Sequence, residues 1–370
     1  MADTYKILAV NPGSTSTKIA LFENEEIIFN KNVTHEASKL EEFPAVQDQL
    51  GFRKEEVEAA VKEAGVDLAD IDIFVGRGGG LHPLPGGTYV VDDILLRDAA
   101  IGVPGQHPAQ LASQICAKFV EEYGGEAYIV NAPDTDEFEE IARFTGIKGV
   151  YRQCHEHTLN HKEIGIRYCN ANGKKYNESN LIIAHIGGGI SVVAHKQGRM
   201  VDGNDIIKGE GPMTPTRAGS LPTITLLKMA FSGEYTEKEL KTLLTKNSGL
   251  VSHLGTSDGR EVEAMIQDGN TYAEKVYNAM IYQIAKQIGE CAAVLKGKVD
   301  GIVLTGGMAH SKRLVSTLTE YVEWIAPVTA MPGEYEMEAL AAGCLRVKRG
   351  EEEAQHYTGK PFWDGIDELK

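Results

Sequence analysis

No stretch of the 370-residue chain approaches the roughly 18 consecutive apolar residues of a membrane span, and the opening MADTYK lacks the apolar core of a secretory leader. Cysteine is sparse: Cys116, Cys154, Cys169, Cys291 and Cys344 are odd in number, scattered, and include no Cys-x-x-Cys pair. That pattern argues against a disulfide framework and against a zinc site, and a reducing, cytoplasmic setting is the expectation. Basic runs are missing as well. With 37 Lys and Arg against 53 Asp and Glu, a net charge of −16, no face for nucleic acid or for an anionic membrane is expected.

A true P-loop is also absent, although Gly13 to Lys18, GSTSTK, has its look. A P-loop needs a second glycine before the lysine and a Ser or Thr after it, opening a helix. Here Lys18 is followed by Ile19, Ala20, Leu21 and Phe22, then the polar ENEE, then Ile27, Ile28 and Phe29. This order reads as strand, turn, strand. Asn11, Ser14, Ser16 and Lys18 then project an amide, hydroxyls and an ammonium from one turn, a set suited to polyphosphate. Taken alone, the stretch is equally a polar β-turn.

What is present is an α/β rhythm on a chain long enough for about two domains. RKEEVEAAVKEAG sets Val57, Ala60, Val61 and Ala64 on one helical face and ends at Gly65, a C-cap residue. The opening ILAVNPGSTSTKIALF recurs in outline as LIIAHIGGGISVVAHKQGRMV, with Asn11 and His185 in comparable places and Gly13 among Gly187, Gly188 and Gly189. Two similar hairpins imply two similarly built halves. A third glycine turn, Gly306 and Gly307 in VLTGGMAHSKRLV, runs from a buried strand into a helix, and absence of a Cβ there lets backbone approach a ligand. The preceding AEKVYNAMIYQIAKQIGECAAVLKG carries Val276, Met280, Ile284, Ile288 and Leu295 at helical spacing, a core helix.

The motifs AVNPGSTSTK, FVGRGGGLHPLPGG, HIGGGISV, GPMTPTRAGSLP, VLTGGMAHSKRLV and PGEYEMEALAAGCLRVKRG, in this order, resemble the acetokinase family and most closely its butyrate kinase branch. The family lies within the superfamily of acetate and sugar kinases, heat-shock chaperone ATPases and actin. The resemblance spans Ile7 to about Gly350. It implies two duplicated ribonuclease-H-like lobes of the actin-like ATPase type with an interdomain cleft, residues 1–148 plus 332–370 forming one and 149–331 the other. It further implies ATP and Mg²⁺ as cofactors, a short-chain carboxylate as acceptor, an acyl phosphate as product, and a homodimer or higher homo-oligomer.

For that chemistry the site must neutralise charge and align groups, because an anionic nucleophile meets an anionic phosphoryl group. By resemblance, Arg77 in GRGGG and Arg217 in TPTRAG contact the substrate carboxylate or the transferring phosphoryl, which suits a guanidinium fork. His157 in HEHTLNH would hydrogen-bond the phosphoryl. Read without the resemblance, Arg77 is also a strand-end residue, and His155, His157 and His161 are also structural histidines or, with His157 and His161 at i, i+4, metal ligands. Asp136 is preferred over Asp134 as the catalytic aspartate, and Glu336 and Glu334 are candidates near the metal with Asn11; helix-terminal charges are the alternative for both acidic pairs. Asn11, Ser14, Ser16, Lys18, His185, Gly187, Gly188 and Gly189 are assigned to phosphates, and Gly306 and Gly307 to the adenosine side. Two other classes stay open on the fold alone: a sugar or polyol kinase, and a non-enzymatic ATP switch.

Overall fold

The structure, a computed structural model, describes residues 4–367. Packing divides the chain into two compact units, one made of residues up to Asp136 together with those from Tyr335 onward, the other Glu137–Glu334. The boundaries read from sequence are 148/149 and 331/332.

In the first unit β1 (Lys6–Pro12), β2 (Ser16–Glu23) and β3 (Glu26–Thr34) form an antiparallel meander. β4 (Ile73–Gly76) runs parallel to β1, β5 (Thr88–Val90) closes the edge, and β6 (Glu126–Val130) lies between them, giving the order β3-β2-β1-β4-β6-β5. From Ile7 to Pro12 every residue of β1 is buried, the mark of a central strand covered on both faces. Leu8, Val10 and Phe74 meet Val57, Val61, Ile115 and Phe119 from the helices Leu50–Glu63 and Leu111–Tyr123. The helix Glu336–Lys348 packs against β1, β4 and β6. Gly343 permits its close approach, since a Cβ there would stand 2.5 Å from Val130 Cγ1. Gly65, at φ 74°, terminates the first of these helices as expected, in the left-handed region that favours glycine.

The second unit repeats the plan. β7 (Asn180–Ile186), β8 (Ile190–Lys196) and β9 (Arg199–Gly203) form a meander, β10 (Gly301–Thr305) runs parallel to β7, and β11 (Val328–Ala330) parallel to β10. The order β11-β10-β7-β8-β9 therefore retraces β6-β4-β1-β2-β3. The helix Thr271–Val294 buries Val276, Met280, Ile284 and Ile288, with Leu295 just beyond its end, as the helical spacing requires. The helix Thr158–Ala171 packs on β7 and β10.

The third glycine turn differs from expectation in one respect. After Gly306 the chain makes a short 3₁₀ turn, Gly307–His310, and the helix Lys312–Val322 begins only after Ser311, whose side chain caps it through Leu314 N at 2.9 Å. The helix cannot start at the glycines because Gly306 is still paired with Gly333, N to O 3.1 and 3.2 Å in the two directions. Among the described residues no helix is long and apolar enough to cross a membrane.

Candidate active site

The first unit gathers its candidate residues around one carboxylate. Register places Asn11 opposite Lys18 across the β1–β2 hairpin, with Gly13, Ser14 and Thr15 in the turn. No helix follows, so GSTSTK is a hairpin turn and not a P-loop. Glu336, the first residue of its helix, accepts from Asn11 Nδ2 at 3.0 Å, lies 4.0 Å from Lys18 Nζ and 3.4 Å from Arg77 Nη1. Arg77 follows β4 and leads into three glycines with φ 74°, 135° and 76°, a path that side chains with a Cβ rarely follow. Ser14 is exposed and Ser16 half-buried.

Beneath this turn lies a residue that the motif reading missed. Arg53, 0% exposed, donates to Gln49 Oε1 at 3.0 Å, Thr17 Oγ1 at 3.1 Å, Ser16 O at 3.2 Å and Ser14 O at 3.3 Å. Every one of these acceptors is neutral, and burial lowers its pKa to about 10. The sequence did carry a signal: Arg53 sits on the same helical stripe as Val57, Ala60 and Val61, an unusual place for a guanidinium.

In the second unit register sets His185 opposite Ser191. His185 donates from Nδ1 to Asn160 Oδ1 at 3.0 Å, stands 3.9 Å from Glu334 through Nε2, and stacks on His157 with ring centroids 4.0 Å apart. His157 is the N-cap of its helix, and its Nδ1 lies 2.8 Å from Ser191 Oγ. His161 is wholly buried and reaches the same hydroxyl at 2.7 Å, so His157 and His161 converge on a serine and not on a metal. Among the described residues no group of three His, Cys, Asp or Glu side chains could hold a metal ion.

Arg217 is fixed by its own loop. Thr214 Oγ1 accepts from Arg217 N at 3.0 Å and donates to Gly188 O at 2.8 Å, and Arg217 Nη1 donates to Ile206 O at 2.7 Å. Burial lowers its pKa. The glycine turn makes room for it: a Cβ on Gly189 would stand 3.1 Å from Arg217 Nη1 and 3.4 Å from His157 Cε1. Gly187 likewise faces His185 Nε2, 3.3 Å from where its Cβ would be. Gly306, φ 85°, lies against Ile186 O, 2.5 Å from where its Cβ would be, at the end of β7.

The acidic candidates separate. Asp136 is buried, its N–H bonded to Leu84 O at 2.9 Å, while Asp134 O accepts from Leu84 N at 3.2 Å. Glu137 pairs with Lys162 at 2.7 Å and accepts from Met200 N, a buried structural bridge. Glu336 with Asn11 offers hard oxygen donors only, the set that Mg²⁺ accepts when water and phosphate complete its shell, whereas Glu334 is half exposed beside His185.

Residues 143–324 match the acetokinase family. Over 354 residues, 96% of this chain and 100% of the relative, the sequence is 45% identical to a probable butyrate kinase of Clostridium botulinum (strain Eklund 17B / Type B). The chain belongs to the acetokinase family. It is also 44% identical over 353 residues, 95% of this chain and 99% of the relative, to butyrate kinase 2 of Clostridium acetobutylicum. The crystal structure of Porphyromonas gingivalis acetate kinase matches with a TM-score of 0.76 at 20% identity, covering 92% of this chain and 99% of that one. That likeness carries the fold, the duplicated α/β architecture of the actin-like ATPases. The match to the family over 143–324 contains His157, His185 and Arg217, and the two kinase relatives extend the likeness to 95–96% of the chain.

Proposed function

We propose that this acetokinase-family member transfers the γ-phosphoryl group of ATP directly to a short-chain carboxylate, with butanoate the leading acceptor, giving ADP and an acyl phosphate. The observation that carries the reading is identity of 44–45% with proteins named butyrate kinase over nearly the whole of both chains. The chemistry agrees with it. A carboxylate is already anionic near neutral pH and needs no strong general base, so the site's task is to neutralise charge and orient the attack.

Arg77 and Arg217 hold the acid and the transferring phosphoryl, and His157 donates a hydrogen bond to the latter. Asn11, Ser14, Ser16, Lys18, His185 and the amides of Gly187, Gly188 and Gly189 face the phosphates, and Gly306 and Gly307 approach the adenosine side. Asp136 is the preferred catalytic carboxylate, on the Mg²⁺ side. Mg²⁺, when bound, supplies charge neutralisation on the phosphate oxygens, and Asn11 and Glu336 would hold it through their oxygens. Five cysteines, all buried and free, agree with a reducing cytoplasm. The helix Thr223–Ala230 buries none of its residues and exposes Ile224 and Leu227 beside Phe231, which agrees with a homodimer.

Incubation with MgATP and a panel of C2 to C6 acids, with hydroxylamine trapping of the acyl phosphate, tests the reading. The signal is expected to peak at butanoate, with isobutanoate, propionate and acetate weaker, since one methylene is worth about 1–3 kcal/mol of discrimination. Phosphorylation of glycerol or hexoses with no hydroxamate from any acid would move the chain to the sugar kinase class.

A further inference from the structure

Behind His157 runs a line of hydrogen bonds that the reading above leaves unused. The Tyr176 hydroxyl lies 2.7 Å from His195 Nδ1, His195 Nε2 lies 3.3 Å from His161 Nδ1, His161 Nε2 lies 2.7 Å from Ser191 Oγ, and Ser191 Oγ lies 2.8 Å from His157 Nδ1. His161, His195 and Ser191 are 0% exposed, and the two rings stack with centroids 5.5 Å apart. Burial, together with the neighbouring histidines and Lys162, pushes both imidazoles well below their ordinary range, so they are neutral.

A neutral imidazole has one N–H and one bare nitrogen. Protons along such a chain must therefore point the same way at each ring. In one direction Tyr176 donates to His195 Nδ1, His195 Nε2–H to His161 Nδ1, His161 Nε2–H to Ser191 and Ser191 O–H to His157 Nδ1, which leaves the His157 proton on Nε2. In the other direction every donor and acceptor is exchanged, and Nε2 of His157 is bare. A third arrangement, in which Ser191 accepts from both histidines, buries a hydroxyl proton with no acceptor among the described residues and is unfavourable.

An imidazole nitrogen is a stronger acceptor than a phenol oxygen, which selects the first direction at the Tyr176 end. A bare nitrogen facing an anionic phosphoryl group would repel it, which selects the same direction at the other end. We propose that Tyr176, His195, His161 and Ser191 are positioning residues, a polarised chain that fixes His157 as the Nε2–H tautomer. The proposal rests on the kinase reading for what His157 touches, and on geometry within the second unit for the chain. No proton enters or leaves it; each link orients the next.

Nitrogen-15 NMR of the full chain with labelled histidine, His157→Gln assigning the signal, reads the tautomer directly. The wild-type protein is expected to show His157 with a bare Nδ1 and a protonated Nε2; a proton on Nδ1 would overturn the proposal whether or not any variant folds. In Ser191→Ala the His157 tautomers should mix, and kcat should fall about tenfold or more while KM for ATP and acid moves less than about twofold. Should that variant not fold, Tyr176→Phe, at the half-buried far end, gives the same readout, a shift of the His157 nitrogen signals. Unchanged tautomer and unchanged kcat in the folded variants would reject the chain as a positioning device. A wild-type protein with the expected tautomer that makes no acyl phosphate would instead overturn the kinase reading and leave the polarity of the chain standing.

Discussion

The β1–β2 and β7–β8 hairpins occupy the same place in two sheets of the same order, yet they carry different chemistry. At the paired positions the first has Asn11 and Lys18, the second His185 and Ser191. Around the first the groups are ionic: Lys18 and Arg77 share Glu336, and Arg53 is buried below with only neutral acceptors. Around the second they are neutral rings and hydroxyls, with Arg217 bringing positive charge from a separate loop. A duplicated scaffold has kept its register and exchanged the side chains that the register presents.

The largest test of this contrast removes the charge on each side. Arg77→Ala and Arg217→Ala are each expected to lower kcat/KM by about 10²–10³, the loss on deleting one transition-state donor, with melting temperatures changed by no more than about 3 °C. Turnover by steady-state kinetics and thermal melts check this; near-normal turnover in both would show that charge is supplied elsewhere.

A smaller change probes how the neutral side makes room for its arginine. Gly189→Ala places a methyl 3.1 Å from Arg217 Nη1, tighter than ordinary contact, and 3.4 Å from His157 Cε1, so the guanidinium must give way beside His157. We expect kcat to fall about tenfold with folding intact, a displacement effect of the kind that misplaced groups produce. Arg53→Met asks the corresponding question of the ionic side. The hairpin loses its brace at Ser14 O and Ser16 O, so KM for ATP should rise about fivefold while stability changes little, because removal of a buried charge offsets the lost hydrogen bonds.

The smallest expected effect concerns Glu156, between His155 and His157. It is buried, neither carboxylate oxygen has a partner among the described residues, and burial with the charges of Asp205, Glu210 and Asp202 raises its pKa well above the ordinary 4.5. A raised folded-state value means the acid's contribution to stability is whole below about pH 4.5 and is lost as pH rises towards the folded value. Glu156→Gln should therefore raise the melting temperature by about 3 °C at pH 8 and by less at pH 5, read by thermal melts at the two pH values. An equal shift at both would mean that the folded-state pKa of Glu156 is not raised.

Much of this was legible in the sequence because hairpins and core helices are local patterns. Ile7 to Phe22 and Leu181 to His195 alternate polar turns with apolar strands, and Val276 to Leu295 keep one helical face. Asn11, Lys18, Arg77 and Arg217 are candidates through motifs with the glycines and prolines that shape their loops. Arg53 was hidden because the backbone carbonyls it holds are 37 and 39 positions away in the chain, a relation no local spacing encodes. Ser191 was hidden differently. It is the register partner of His185, and only pairing the second hairpin residue by residue, as Asn11 pairs with Lys18, brings it to notice.

Direct phosphoryl transfer to a carboxylate is tested by counting both products of the wild-type chain with MgATP and butanoate. One acyl hydroxamate for each ADP, with negligible ADP when the acid is left out, is the predicted result. ADP released at the same rate with or without acid would contradict it, and would mark the chain as an ATP switch on the same duplicated fold.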